Sequence, residues 1–276
     1  MSAEKYFSRN HRRPLPFEAV PADALVNSVS MNGDDVDTTM CFHAFWLVKD
    51  GIIPGLVKHD SDEVLIFIGA DRDNHEALNG TVTVQIENDE LALTETCVVY
   101  VPKGKAHGNI RFTGLSKSVL CYTYQLTEAY YRCESAVPAD PEGTYAHNAV
   151  FRYEPLSGII PEAPEGFLTF LLWLDGQKLA GAPYMETVRF LTTNDTGPET
   201  HVHDFDELIG FLGGTPENPE ELNGEITFYI DGETVSSKES CVIFIPKGVE
   251  HSPILVPENR KSFIHFSASN EGVYQR

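Results

Sequence analysis

The chain is 276 residues long, enough for two domains of ordinary size or one large one. Its 20 Lys and Arg stand against 41 Asp and Glu, a net charge of −21, which removes the basic face that nucleic acid requires and disfavours an anionic membrane surface. With 42% hydrophobic and 11% aromatic residues the chain can bury real cores, and no apolar run nears the ~18 residues of a membrane span.

In chain order, the opening MSAEKYFSRNHRRPLPF lacks the apolar centre of a secretion signal, so a cytoplasmic protein is expected. Its first twenty residues read as an arm, packed on the other domain or on a partner. Short runs rich in β-branched and aromatic residues follow: VTVQI, CVVYVP and SVLCYTY, then FLTFLLWL, TVRFLTT, ITFYI, CVIFIP and SFIHFSA. Asn32-Gly33, Asp50-Gly51, Asn79-Gly80, Asp175-Gly176, Asn223-Gly224 and Asp231-Gly232 punctuate them, and such pairs tolerate the positive φ of tight hairpins. Many short strands without long 3.6-residue periodicity predict an all-β sandwich or barrel. Between the two groups of strands lies the connection TEAYYRCESAVPADPEGTYAHNAVFRYEP, without clear alternation, in which TEAYYRCES reads as a short helix; the domain boundary falls near residue 145. Five cysteines without CxxC spacing make no disulfide framework, and four of them, Cys41, Cys97, Cys121 and Cys241, lie in apolar runs as reduced core thiols.

The two halves repeat. HDSDEVLIFIGADRDNHEALNGTVTVQI begins at His59 and HDFDELIGFLGGTPENPEELNGEITFYI at His203, a step of 144 residues that holds without a gap to His107 and His251. Twenty of the 49 aligned positions are identical, far more than composition alone gives, so the chain is one folding unit duplicated: residues 1–145 and 146–276.

The second unit carries His201-Val-His203, then Glu207, and later Pro246-Lys-Gly248-Val-Glu-His251. On a strand, His201 and His203 point to one side, Glu207 shares their even spacing, and the Pro-x-Gly turn returns His251 beside them. Three imidazoles and a carboxylate suit a divalent transition metal, namely Fe, Mn, Ni, Zn or Cu, with positions left for substrate or water. In the first unit His201 becomes Val57, while His59, Glu63 and His107 are retained. That set either holds a metal as a facial triad or is a decayed site kept for packing, and His43, on the preceding strand, is either a replacement ligand or an ordinary barrel histidine.

The pattern G-x3-H-x-H-x3-E followed by P-x-G-x2-H resembles the two sequence motifs of the cupin superfamily, and the two copies together resemble a bicupin. The usual first motif has five residues between Gly and the first His, where Gly197 and His201 leave three, and the Asn common late in the second motif is absent from HSPILV. Neither departure touches a ligand position. The resemblance implies two tandem double-stranded β-helix (jelly-roll) barrels with a metal in the mouth of a barrel, and no single reaction.

Around the second site, Arg189 faces either solvent or the interior. Phe205, Phe211, Phe228 and Phe244 read as core, and Tyr229 and His265 are candidate acid/base or supporting groups. Asp204, Asp206 and Glu250 alternate outward, and Lys103 and Lys247 hold equivalent places in the two P-K-G turns. The expected activity is that of a metal-dependent dioxygenase on a small organic molecule, with Glu207 both ligand and base. The alternatives are a metal-dependent decarboxylase or isomerase, or a barrel pair that only binds a small ligand or serves structurally. The expected partner is a small molecule, and the expected state in solution a monomer or homodimer.

Overall fold

The computed structural model describes residues 2–126, 129–146, 149–154 and 163–273. Among the described residues twenty strands account for nearly all regular structure: β1 (Phe7–Ser8), β2 (Leu25–Met31), β3 (Cys41–Leu47), β4 (Gly51–Lys58), β5 (Glu63–Gly69), β6 (Ala77–Ile86), β7 (Asp89–Glu95), β8 (Cys97–Val101), β9 (His107–Thr113), β10 (Val119–Gln125), β11 (Glu134–Ser135), β12 (Val150–Arg152), β13 (Leu168–Leu174), β14 (Met185–Phe190), β15 (Glu207–Leu212), β16 (Glu221–Ile230), β17 (Glu233–Glu239), β18 (Cys241–Ile245), β19 (His251–Asn259) and β20 (Phe263–Ser269). Every run expected to be a strand is one. No helix among the described residues is long and apolar enough to cross a membrane.

The chain divides into two compact units. One comprises Arg12–Ser28 and Thr39–Tyr153; the other comprises Met1–His11, Val29–Thr38 and Glu154–Arg276. The first, here the N-terminal barrel, has a sheet ordered β12-β8-β5-β10-β3-β2 and a second ordered β11-β4-β9-β6-β7. The C-terminal barrel has a sheet ordered β1-β18-β15-β20-β14-β13 and a smaller one, β17-β16-β19. This is the all-β jelly-roll architecture expected.

Two kinds of strand build each barrel. β3, β5, β8 and β10 are buried along their whole length and read as continuous apolar runs. β7 alternates buried and exposed residues, apolar side inward and polar side to water. The cores lie inside: Phe45, Phe67, Val84 and Phe112 in one barrel, Phe190, Phe211, Phe228 and Phe263 in the other. Each such ring removed from water contributes about 1.5–3 kcal/mol.

Two sequence expectations change. Asn79-Gly80 and Asn223-Gly224 are not hairpin turns but lie inside the long strands β6 and β16, where the pairing register shifts. Asn79 and Asn223 take φ of 59° and 63°, and a Cβ on Gly224 would stand 2.4 Å from the Glu258 carbonyl oxygen, so these pairs form bulges that bend the strand. The segment TEAYYRCES forms no helix among its described residues and ends instead in β11, paired with Lys58 and Val57 of β4. The start of the arm packs on the other domain, one of the two courses expected of it, and does so as a strand of the C-terminal barrel: Phe7 and Ser8 pair with Ile243 and Val242. The Phe7 ring meets Phe228 edge-on at 6.5 Å, while Lys5 Nζ and Tyr6 Oη bind Asp231 at 2.9 and 2.8 Å.

Candidate metal centres

The same backbone devices bring the distant motifs together in both barrels. In the C-terminal barrel His201 and His251 exchange N–H···O bonds in both directions at 3.0 Å, an isolated bridge. The Pro246-Lys247-Gly248 turn is fastened to the first motif twice: Gly248 N–H donates to the His203 carbonyl and Lys247 N–H to Asp206 Oδ1, each at 2.9 Å. In the N-terminal barrel Gly104 bonds the His59 carbonyl at 2.9 Å and Lys103 N–H bonds Asp62 Oδ1 at 2.7 Å. Asp206, expected to be merely solvated, therefore fixes the turn that presents His251. Lys103 and Lys247 keep the turn role expected of them, acting through their backbone N–H groups.

His201, His203 and His251 converge, with donor atoms within 4.8 Å of one another. Glu207, the first residue of β15, places Oε2 3.1 Å from His251 Nε2 and 3.7 Å from His203 Nε2, and its Oε1 accepts from Ser267 Oγ at 2.6 Å. His203, Glu207 and His251 are buried, and His201 lies partly exposed at the mouth. His201 Nδ1 faces the Glu199 carbonyl at 2.7 Å and His251 Nδ1 the Val249 carbonyl at 2.9 Å. With Nδ1–H spent on the backbone, Nε2 is left as the donor toward the cluster. His201 Nε2, His251 Nε2 and Glu207 Oε2 are buried with no hydrogen-bond partner. Such orphaned, convergent lone pairs fit a cation. Burial alone would raise Glu207 and lower His251, but the His251 imidazole and the Ser267 hydroxyl hold Glu207 below the usual carboxylate range, and Glu207 holds His251 above its usual value.

The N-terminal cluster gathers His59, Glu63 and His107, all buried, again within 4.8 Å. Glu63 Oε2 lies 2.6 Å from His107 Nε2 and 3.0 Å from His59 Nε2, and Oε1 accepts from Thr123 Oγ1 at 2.5 Å. His107 Nδ1 faces the Lys105 carbonyl at 2.9 Å, and His59 Nδ1 faces the Arg132 carbonyl. Val57 pairs with His107 as His201 does with His251, so an apolar side chain holds the fourth ligand's place. Burial opposes the charge on Glu63, yet the two imidazoles hold it far below the usual range, and in return Glu63 raises His59. His43 does not join the cluster; its ring meets Tyr131 edge-on at 5.5 Å.

A cavity of about 100 Å³ opens over the C-terminal cluster, and its lining includes His201, Glu207 and His251 among apolar groups such as Phe167, Val188 and Ile254. No Lys or Arg is among the described residues that line it. Arg189 is buried, but its neighbours Glu186, Val188 and Phe190 line the cavity, so alternation along β14 aims Arg189 the other way. His265 does line it, stacked between Phe190 and Phe211 at 5.1 and 4.9 Å, with Nδ1–H on the Gly210 carbonyl at 3.2 Å. Burial pushes its pKa down to about 4, so it stands neutral, with Nε2 an acceptor. Tyr229 bonds Glu250 at 2.8 Å on the exposed side and takes no part. Phe205 stacks on His203 at 4.5 Å and belongs to the buried wall, with Phe211, Phe228 and Phe244. Two residues had no motif to flag them: Glu186, which lines the cavity and accepts from Tyr184 Oη at 2.7 Å, and Tyr131. The cysteines are free; Cys133 is exposed, and burial raises Cys97 and Cys241 to about 12, far from reactive thiolates.

No protein-family model matches the chain, and no curated protein matches it. Solved structures do. The R92A mutant of Bacillus subtilis oxalate decarboxylase matches with a TM-score of 0.62 at 12% identity, over 97% of this chain and 80% of that one. The same enzyme at pH 4.6 gives 0.62 at 11%, over 97% and 79%. A structure of it described for its Mn(II) centres gives 0.60 at 11%, over 97% and 80%. At this identity the likeness is one of fold: the chain has the double-barrel architecture of a bicupin, as its motifs implied.

Proposed function

We propose that the protein is a metal-dependent enzyme acting on a small, oxygen-bearing organic molecule, with its active site in the C-terminal barrel. The observation that carries this reading is the convergence of buried donor atoms of His201, His251 and Glu207 on one another at a cavity with apolar walls. His201, His203, Glu207 and His251 would hold a divalent transition metal, which supplies Lewis acidity and open coordination positions when bound. Ser267 restrains one Glu207 oxygen, which leaves Oε2 to serve as ligand and, when released, as base. Phe167, Val188 and Ile254 exclude water from a bound substrate, and neutral His265 accepts a hydrogen bond from it.

Dioxygenase-type chemistry on an enol, diketone or similar chelating substrate suits this cavity best. A net charge of −21 and a wall without Lys or Arg favour an uncharged or singly charged substrate over a free dianion. Decarboxylation of a small acid is the second reading, supported by the fold likeness to the Mn(II)-containing oxalate decarboxylase. Metal analysis of the gently purified chain, then O2 uptake with enolic substrates beside CO2 release from oxalate, separates the two. His201→Ala and His251→Ala are expected to lose the C-terminal metal and the activity together. Full activity in either variant overturns the assignment, and a chain that takes up no metal leaves a binding or structural barrel pair.

A further inference from the structure

The N-terminal cluster lacks the fourth ligand, and the chain returns a different donor to the same place. The segment after β10 runs back across the cluster and is tied to it at three points. Ser135 and Glu134 pair with Val57 and Lys58, and the Arg132 carbonyl receives His59 Nδ1–H. The Tyr131 ring stands edge-on to His59 at 5.0 Å, and Phe17 flanks it at 6.4 Å. Tyr131, Val57, Glu63 and His107 line one cavity of about 80 Å³. Tyr131 therefore shares one cavity with the carboxylate at the centre of the cluster, beside the position that Val57 leaves without a donor.

We propose that Tyr131 is the fourth protein ligand of the N-terminal metal site, replacing through space the histidine lost at Val57. This rests on the metal reading of His59, Glu63 and His107. Coordination breaks the phenol O–H bond, forms an oxygen–metal bond and releases the proton to water. The two barrels then differ in kind: three imidazoles and a carboxylate in one; two imidazoles, a carboxylate and a phenolate in the other. An anionic oxygen in place of a nitrogen shifts the N-terminal site toward harder ions such as ferric iron.

The test uses the full chain and ferric iron supplied as its citrate complex. A phenolate-to-iron(III) charge-transfer band is expected in the visible spectrum. No tyrosine is among the described residues lining the C-terminal cavity, so such a band reports the N-terminal site. Tyr131→Phe is expected to abolish the band and weaken iron binding there at least about tenfold. Tyr131→His is expected to bind iron without the band. Iron bound without a band in the native chain, or a band that survives Tyr131→Phe, overturns the role of Tyr131 and leaves the metal reading standing. No iron bound at either site overturns both.

Discussion

At each cluster a carboxylate is held in its charged form by imidazoles, and it in turn holds one of them, His59 or His251, in its own. In the metal-free protein this makes stability depend on pH from both sides. Glu63 and Glu207 have folded pKa values below the ordinary 4.5, so their contribution is complete above that value and lost as pH falls through the folded one. His59 and His251 have folded values above 6.5, so theirs is complete below 6.5 and lost as pH rises through the folded value. The metal-free chain is therefore expected to be most stable between about pH 4.5 and 6.5 and to melt earlier as the pH rises above it. A bound cation takes over the proton's role, so the alkaline decline should flatten on loading. Melting curves across this range, with chelator and with added metal, check it; an unchanged decline on loading contradicts it. Glu63→Gln with Glu207→Gln should also flatten the alkaline limb of the metal-free chain. At this scale the ligands were legible in the sequence because the motif residues lie close together and recur at a fixed step. Tyr131 was not, because only the return of the chain to β4 brings it to Glu63. Glu186 was not, because its facing depends on the phase of β14.

Among the elements, the strands could be read because a β period of two and a run of branched residues are local properties. The Asn-Gly pairs misled for a physical reason: the same tolerance of positive φ serves a hairpin turn and a bulge, and only the partner strand distinguishes them. The fastening of each P-K-G turn by Asp62 or Asp206 was also hidden, since it joins residues 41 positions apart. Asp206→Ala removes a charge-assisted hydrogen bond and is expected to cost about 1–2 kcal/mol, a drop of a few degrees in Tm. It should also loosen metal at the C-terminal site, while Asp206→Asn, which keeps an acceptor oxygen, should restore most of both. Calorimetry and metal titration on the two variants decide this; equal metal affinity in native and Asp206→Ala chains would deny the turn its positioning role.

For the molecule as a whole, the duplication declares each half's fold but not the fate of the arm, since strand addition uses backbone groups that every sequence possesses. Phe7 is buried in the core of the C-terminal barrel. Phe7→Ala is expected to destabilise that barrel by about 3–5 kcal/mol and to leave the N-terminal barrel's melting unchanged. Denaturant unfolding followed at the separate metal sites resolves the two. A single transition shifted as a unit would show that the barrels unfold together.

The pairing of Phe7 with Ile243 has a consequence for biosynthesis. The arm strand leaves the ribosome long before its partner is made and must wait for it. At ~5–20 residues per second the 236 positions from Phe7 to Ile243 take roughly 12–47 s to synthesise. Throughout that interval Tyr6 and Phe7 are without their final neighbours, and the nascent chain has to shield them from other nascent chains or from a chaperone's grasp.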